Sequence, residues 1–365
     1  MNRRKVILIT TQDSNNYGST LQVFASQKIL EMIGYDVQIV NYLRKQHQRN
    51  NEYTIWTNGD NAIETLLKRI ILIPTFKKWK KVFWGFMENN INLTAPFYSE
   101  KQLESHPPKG DVYCTGSDQV WNSTWNNGIE EPYFLKWVPE GKKKISFSSS
   151  IGKSVIDDKE KLIVKSFLQT YDAISVREDS AVRVLEDMGI ESVHVLDPTL
   201  LLSKEFWITF SGEKKIKDKY VLIYQLNRNR EFDRYAIKFA KLKKCKLVRF
   251  CTRYDQIRLP ADRHVFIPDV NEFVSLINGA EYILTDSFHA TSFGLNLNKE
   301  IICVYPLRFN SRLDDILKDT GMQHRHLVSY EDFAIANNST DFANINQYLQ
   351  EERSKAFEFL RNAIE

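Results

Sequence analysis

Two short motifs in this 365-residue chain carry side chains suited to an anionic, reactive ligand: Ser175-Val176-Arg177-Glu178 and Thr285-Asp286-Ser287-Phe288-His289. A guanidinium fork matches a carboxylate or phosphate, and an imidazole flanked by Asp, Ser and Thr has neighbours that can set its tautomer for proton transfer. Each motif also has a plainer reading. Arg177 can pair with Glu178 or Asp179, and His289 can be a satisfied structural histidine. A third motif, Gly116-Ser117-Asp118-Gln119-Val120-Trp121-Asn122, sets a carboxylate beside amides and an indole. Such a set can bind a sugar, with Asp118 accepting from hydroxyls and Trp121 offering a flat apolar face, or it can be a capped helix with a core tryptophan. Upstream, residues 11–19 (TQDSNNYGS) gather hydrogen-bonding groups where a helix begins, and free N–H groups there can hold an anion or sugar oxygens. The same residues are ordinary turn and cap types.

Side chains so far apart in the chain need a scaffold that gathers them. Short β-branched runs alternate with helix-length amphipathic segments, the pattern of parallel sheets built from βαβ units. Strands are expected at residues 5–11, 36–42, 111–115, 144–148, 173–176 and 192–196, then at 220–226, 246–251, 264–267, 281–285 and 301–304. Helices are expected at 19–33, 270–279, from 289, and at 344–362. A polar stretch at 212–218 interrupts the alternation, so the expected division is an N-terminal Rossmann-like domain over 1–203 and a second over 204–340, with a last helix in 341–365 returning to the first. The fold class is α/β, two Rossmann-like domains facing a cleft. Open parallel sheets bind ligands beyond the carboxyl ends of their strands, and every motif above lies just after an expected strand.

Composition narrows the function classes. With 42% hydrophobic residues and 22 Phe, 16 Tyr and 7 Trp, the chain can build cores and is not disordered. A formal charge of +4 from 50 basic and 46 acidic residues is too balanced for a nucleic-acid protein, so anion binding must be local. Cys114, Cys245, Cys251 and Cys303 form no CxxC pair and have no histidine at ligand spacing, which argues against a zinc site and a disulfide framework. The N-terminal run reads as a first strand rather than a signal peptide, and no segment approaches the roughly 18 consecutive apolar residues of a membrane span. A cytoplasmic protein is expected.

Residues 66–86 stand out. They hold Lys68, Arg69, Lys77, Lys78, Lys80 and Lys81 among Ile, Leu, Trp and Phe, with no acidic residue. The segment reads either as a solvated basic face over a packed helix or as a surface that lies on an anionic membrane. Pro74 is expected to break any single helix across it.

Taken in order, these segments resemble the polysaccharide pyruvyl transferase family. The resemblance is carried by Asn16-Tyr17-Gly18 with Leu21-Gln22, Gly116 to Asn122, Ser149-Ser150-Ile151-Gly152, Ser175 to Glu178, Leu196-Asp197-Pro198-Thr199-Leu200-Leu201, Thr285 to His289, and Ser311-Arg312-Leu313. The departure is small: Ser148-Ser149-Ser150 precedes Ile151-Gly152 where an aromatic, Ala or Phe is more usual. The resemblance implies a GT-B-like arrangement and transfer of the enolpyruvyl group of phosphoenolpyruvate to a sugar of a cell-surface polysaccharide or its precursor, closing a pyruvate ketal. It maps the family's donor-binding Arg and His onto Arg177 and His289; from the chemistry such a transfer needs, the catalytic set is expected to be Arg177, His289 and Asp118, with Asp118 as the base that orients and deprotonates the acceptor hydroxyl. The donor set would be Arg177, Ser287, Phe288, His289, Arg308 and Arg312, and the acceptor set Asn16, Tyr17, Gly18, Gln22, Ser117, Asp118, Gln119 and Trp121. Arg308 and Arg312 have a second reading as surface ion pairs with Asp314 and Asp315. No metal or cofactor is expected, phosphoenolpyruvate being a co-substrate. A nucleotide-sugar-dependent glycosyltransferase and a non-catalytic carbohydrate-binding relative are the rival readings, and the acceptor is left open between lipid-linked, nucleotide-linked and polymeric sugars.

Overall fold

The run Lys-Val-Ile-Leu-Ile has apolar residues on both faces, which suits a strand covered on both sides. A computed structural model, describing residues 3–45, 57, 59, 61–306 and 310–365, places it as β1 (Lys5–Ile9), with Val6 to Ile9 fully buried. β2 (Asp36–Ile39), β3 (Val112–Thr115) and β4 (Lys143–Ser146) join it in a parallel sheet of order β2-β1-β3-β4. β5 (Ser175–Val176) and β6 (Val193–His194) pair with one another, and single bridges Ile145↔Ala173 and Ser149↔Val176 tie this pair to the segment around β4. The helix Tyr17–Met32 makes the crossover from β1 to β2.

A second parallel sheet comprises β7 (Tyr220–Tyr224), β8 (Lys246–Cys251), β9 (Arg263–Phe266), β10 (Tyr282–Thr285) and β11 (Glu300–Cys303), in the order β11-β10-β7-β8-β9. Val221, Ile223, Leu284 and Ile302 meet Phe232, Tyr235 and Phe239 of the helix Arg230–Leu242 in its core. Strands and helices thus fall within a few residues of where the hydrophobic periodicity placed them: β8 keeps its expected bounds, β4, β9 and β11 begin one residue early, the remaining strands are shorter, and the helices Tyr17–Met32 and Phe342–Ile364 each start two residues early.

The chain divides into two compact units: Met1–Asn58, Phe86–Leu201 and Gln350–Glu365 form the first, Gly59–Gly85 and Leu202–Leu349 the second. The boundary expected after residue 203 falls after Leu201. From Gln350 onward the helix Phe342–Ile364 belongs to the first unit, where Arg353 Nε donates to the Leu200 carbonyl at 2.9 Å and Arg4 Nη1 to that of Ile364 at 2.7 Å. Residues 59–85, counted with the first domain from sequence position, pack in the second unit. There Trp79 Nε1 donates to the Thr252 carbonyl at 3.0 Å and the Tyr254 N–H to Thr75 Oγ1 at 3.0 Å.

Pro74 does not break its helix. Ala62–Trp79 runs straight through it, opened by a capping box between Asn61 and Glu64 and continued by a π-helical turn over Lys80–Trp84. Proline removes the N–H that would bond the Ile70 carbonyl, but both residues are exposed, so water can satisfy that oxygen. Burial of Phe76 and Trp79 just beyond it holds the helical turn that follows.

Candidate functional site

In each sheet the chain leaves the first strand to one side and later returns to the other. The reversal lies between β1 and β3 in the first unit and between β7 and β10 in the second. Diverging loops there open the crevice in which such sheets bind ligands. Residues 11–16 and the motifs at 116–122 and 285–289 sit at these reversals, whereas the motif at 175–178 lies at β5.

In the first unit the loops after β1 and β3 are tied by side chains. Thr10 Oγ1 donates to the Ser117 carbonyl at 2.5 Å, and Gln22 Nε2 to Thr10 Oγ1 at 3.1 Å. Asp118 Oδ2 accepts from Thr11 Oγ1 at 2.9 Å and Ser19 Oγ at 2.5 Å, while Oδ1 accepts from its neighbour's N–H at 2.9 Å and from Arg177 Nη2 at 3.3 Å. Its backbone is left-handed, φ 72°, a region Asp tolerates better than most residues and which turns the chain sharply after β3. Four accepted hydrogen bonds hold this carboxylate in a fixed orientation between the two loops.

Arg177 lies at the centre of the same network. Its side chain is fully buried and faces three carboxylates: Asp197 Oδ2 at 2.8 Å from Nη1, Asp118 Oδ1 from Nη2, and Glu178 Oε2 at 3.5 Å from Nε. The partners are themselves anchored. Asp197 accepts from Thr199 Oγ1 at 2.7 Å and Ser117 Oγ at 3.1 Å, and Glu178 Oε1 accepts from Ser150 Oγ at 2.7 Å and the Gly152 N–H at 2.8 Å. Burial pulls the guanidinium toward neutrality, but Asp197, Asp118 and Glu178 outweigh it and hold the group charged. Four motifs that were separate in the sequence therefore meet on one cation, and the pairing with Glu178 is among the contacts made. Arg177 braces the loops rather than offering an open fork.

Other expected acceptor contacts are also internal. Trp121 is a core residue: its ring stacks on Phe134 at 5.7 Å and Nε1 donates to the Tyr133 carbonyl at 3.1 Å, so the flat face expected for a sugar is covered. Gln119 Oε1 accepts from Asn122 Nδ2 at 2.7 Å, and Asn16 caps the helix Tyr17–Met32 by accepting from the N–H groups of Gly18 and Ser19. Tyr17 and Gly18 are buried in its first turn, while Asn16 is half-buried.

One pair escaped the sequence reading. Arg44, just beyond β2, makes a fully buried ion pair with Asp13, Nη2 to Oδ1 at 2.8 Å, and its Nη1 donates to Asn126 Oδ1 at 2.8 Å. Burial again opposes the charge, and Asp13 reverses the effect. The strand-end rule that selected Arg177 applies equally to Arg44, but no recognisable motif surrounds it in the sequence.

In the second unit Asp286 links the two loops at the reversal. Its Oδ1 accepts from the Leu226 N–H at 2.7 Å, and Oδ2 from the N–H and side-chain amide of Asn227 at 2.8 and 3.0 Å. Burial raises the Asp286 pKa more than these hydrogen bonds lower it. Ser287 caps the helix Phe288–Asn296, accepting from the Ala290 N–H at 3.3 Å, which sets His289 in the first turn. The His289 ring lies edge-on to Phe288 at 5.2 Å, and the Arg312 guanidinium lies 5.6 Å from the Phe288 ring centre, on the helix Ser311–Asp319. Ser287, Phe288, His289 and Arg312 are thus brought together, and Arg308 lies outside the described residues. Burial pushes the Cys303 thiol up to about 12, so it is no ready nucleophile. Among the described residues no group of three or more His, Cys, Asp or Glu side chains could hold a metal ion.

Two Rossmann-like units with ligand loops at their sheet reversals define a GT-B-like α/β protein. Solved structures of that kind are similar over nearly the whole chain. They include the glycotransferase of kitacinnamycin (12% identity, TM-score 0.56, covering 100% of this chain and 98% of that one) and UDP-N-acetylglucosamine 2-epimerase from Rickettsia bellii (12%, 0.52, 100% and 97%). A spinosyn rhamnosyltransferase is similar at 10% identity and TM-score 0.51, covering 99% of each chain. No curated protein sequence matches. The polysaccharide pyruvyl transferase model matches residues 16–307, and the chain belongs to that family.

Proposed function

We propose that the protein transfers the enolpyruvyl group of phosphoenolpyruvate to a sugar of a cell-surface polysaccharide or its precursor and closes it as a pyruvate ketal, in the cytoplasm. The observation that carries this reading is the family match over residues 16–307, which spans the loop after β3 in the first unit and the loops after β7 and β10 in the second. Protonation of the donor's methylene carbon creates an oxocarbenium-like centre. One sugar hydroxyl adds to it and gives up its proton; a second hydroxyl then displaces phosphate, its proton leaving with that group. Such a route needs cations for carboxylate and phosphate and a group that moves protons.

His289 and Arg312 would hold the donor, with Ser287 and Phe288 fixing their positions and Arg308 counted with them from the sequence alone. His289 would also move the proton at the methylene carbon or on the departing phosphate. The acceptor would meet the first unit's loops around Asn16, Tyr17, Gly18, Gln22, Ser117, Asp118 and Gln119. There Asp118 orients hydroxyl groups through Thr11 and Ser19, and Arg177 is a positioning residue. Cationic side chains neutralise the donor in this scheme, so no metal or cofactor is required.

The test is to supply phosphoenolpyruvate with a panel of UDP-linked and polyprenyl-diphosphate-linked hexoses and to follow inorganic phosphate and the ketal methyl resonance. Acceptor-dependent phosphate release matched by a new methyl signal is expected. Consumption of the UDP-sugar as donor, with phosphoenolpyruvate untouched, would replace this reading with glycosyl transfer.

A further inference from the structure

We propose that the helix Ala62–Trp79 docks the protein flat on the surface of an anionic membrane. The helix has two different halves. Its last turn is anchored in the second unit, with Thr75, Phe76 and Trp79 buried and bonded through Thr75 and Trp79 to the segment around Tyr254. Among the described residues, the turns before it cover no core. Ile63, Leu66, Leu67, Ile70 and Ile71 are 72%, 60%, 55%, 55% and 55% exposed. These positions follow the i, i+3, i+4, i+7, i+8 spacing that puts side chains on one face, so the helix carries a continuous aliphatic stripe into solvent. Soluble proteins rarely leave such a patch uncovered.

Charge identifies what covers it. Residues 66–86 hold Lys68, Arg69, Lys77, Lys78, Lys80 and Lys81 and no acidic side chain, and Glu64 is the one acidic residue of the helix. At 100° per residue, Lys77, Lys78 and Lys81 continue on the side of the stripe, past its end, while Thr75, Phe76 and Trp79 face the opposite way. An apolar strip ending in lysines fits an acyl boundary bordered by anionic headgroups, with the lysine stems reaching up to the phosphates. A second copy of this chain packed in parallel through the stripe would bring like charges together. Among the described residues no helix is long and apolar enough to cross a membrane, so the contact is interfacial. On the functional reading above, docking would bring a lipid-carried sugar within reach, but the docking itself does not depend on that reading.

The experiment is co-sedimentation of the full chain with phosphatidylcholine vesicles, with and without phosphatidylglycerol, in the absence of donor and acceptor. Binding should need phosphatidylglycerol and weaken with salt. Each lysine near the surface contributes about fivefold, so Lys77→Gln/Lys78→Gln/Lys81→Gln should weaken binding on the order of a hundredfold. Leu67→Ser/Ile70→Ser should abolish it; both variants alter mainly exposed positions and should melt where the parent does. Equal sedimentation with neutral and anionic vesicles, unchanged binding by both variants, or a dimer that Leu67→Ser/Ile70→Ser dissolves would overturn the proposal.

Discussion

Asp118 and Asp286 occupy matching places in the two units. Each follows the strand that lies across the sheet reversal from the first strand, β3 or β10, and each reaches back to the loop after that first strand. Asp118 takes hydroxyl donors from Thr11 and Ser19, whereas Asp286 takes the backbone N–H groups of Leu226 and Asn227. The same device therefore pins the ligand-side loops of both sheets. The difference is what stands beside it: a cation locked among three carboxylates in the first unit, and a histidine with an arginine on a shared phenylalanine in the second.

Arg177→Ala should damage the fold as well as activity. Removing one partner of a buried pair typically costs about 3–5 kcal/mol, and here three carboxylates would be left in the interior. Urea unfolding of the variant should show a midpoint well below the parent's. A loss under about 1 kcal/mol would mean that the guanidinium is not the brace described.

Gly152→Ala tests the packing of the same network. Gly152 has φ +64°, and a Cβ there would lie 2.5 Å from Gln119 Oε1 and 2.7 Å from Asn122 Nδ2. Those two amides are bonded to one another, so neither can yield without breaking that contact. A loss of roughly 1–3 kcal/mol in thermal or urea unfolding is expected, and an unchanged midpoint would show that the loop relaxes freely.

His289→Ala should lower turnover by about a hundredfold to ten-thousandfold, the range for loss of a proton-transfer group, while Arg312→Ala should act mainly on donor KM. Steady-state kinetics with phosphoenolpyruvate would separate the two effects. Equal losses in KM alone would assign His289 to binding and remove its chemical role. Chelation by EDTA should leave the rate unchanged; a loss restored by a divalent ion would require a metal in the scheme.

Stability should fall as pH rises toward neutrality because of a surface pair. Burial first, and then the hydrogen bond and charge of Glu131, raise Glu100 to about 7, while Lys136 holds Glu131 low. A folded-state pKa above the ordinary 4.5 contributes stability at low pH that is lost as pH passes from about 4.5 through about 7. Melting curves across that window should show the decline in the parent and a flatter profile in Glu100→Gln. Identical profiles would remove the pair from the account.

Much of this architecture was readable because strands covered on both faces, such as Val6 to Ile9, announce themselves as apolar runs. The motif loops were readable for a related reason: they follow those runs. What could not be read was partnership across the chain. Trp121 beside Asp118 looks the same whether its ring awaits a sugar or stacks on Phe134, and only the fold decides. Trp79 bonds the Thr252 carbonyl 173 residues away, so the membership of residues 59–85 had no local signal. Pro74 sits inside a continuous helix, against a local rule that weighs a lost hydrogen bond and not the solvent exposure that compensates for it.

The most direct test of the central claim is calorimetric titration of the purified protein with phosphoenolpyruvate and, separately, with UDP and GDP, repeated for His289→Ala and Arg312→Ala. Saturable binding of phosphoenolpyruvate that both substitutions weaken, with UDP and GDP silent, is the predicted result. Nucleotide binding with no heat from phosphoenolpyruvate would contradict it.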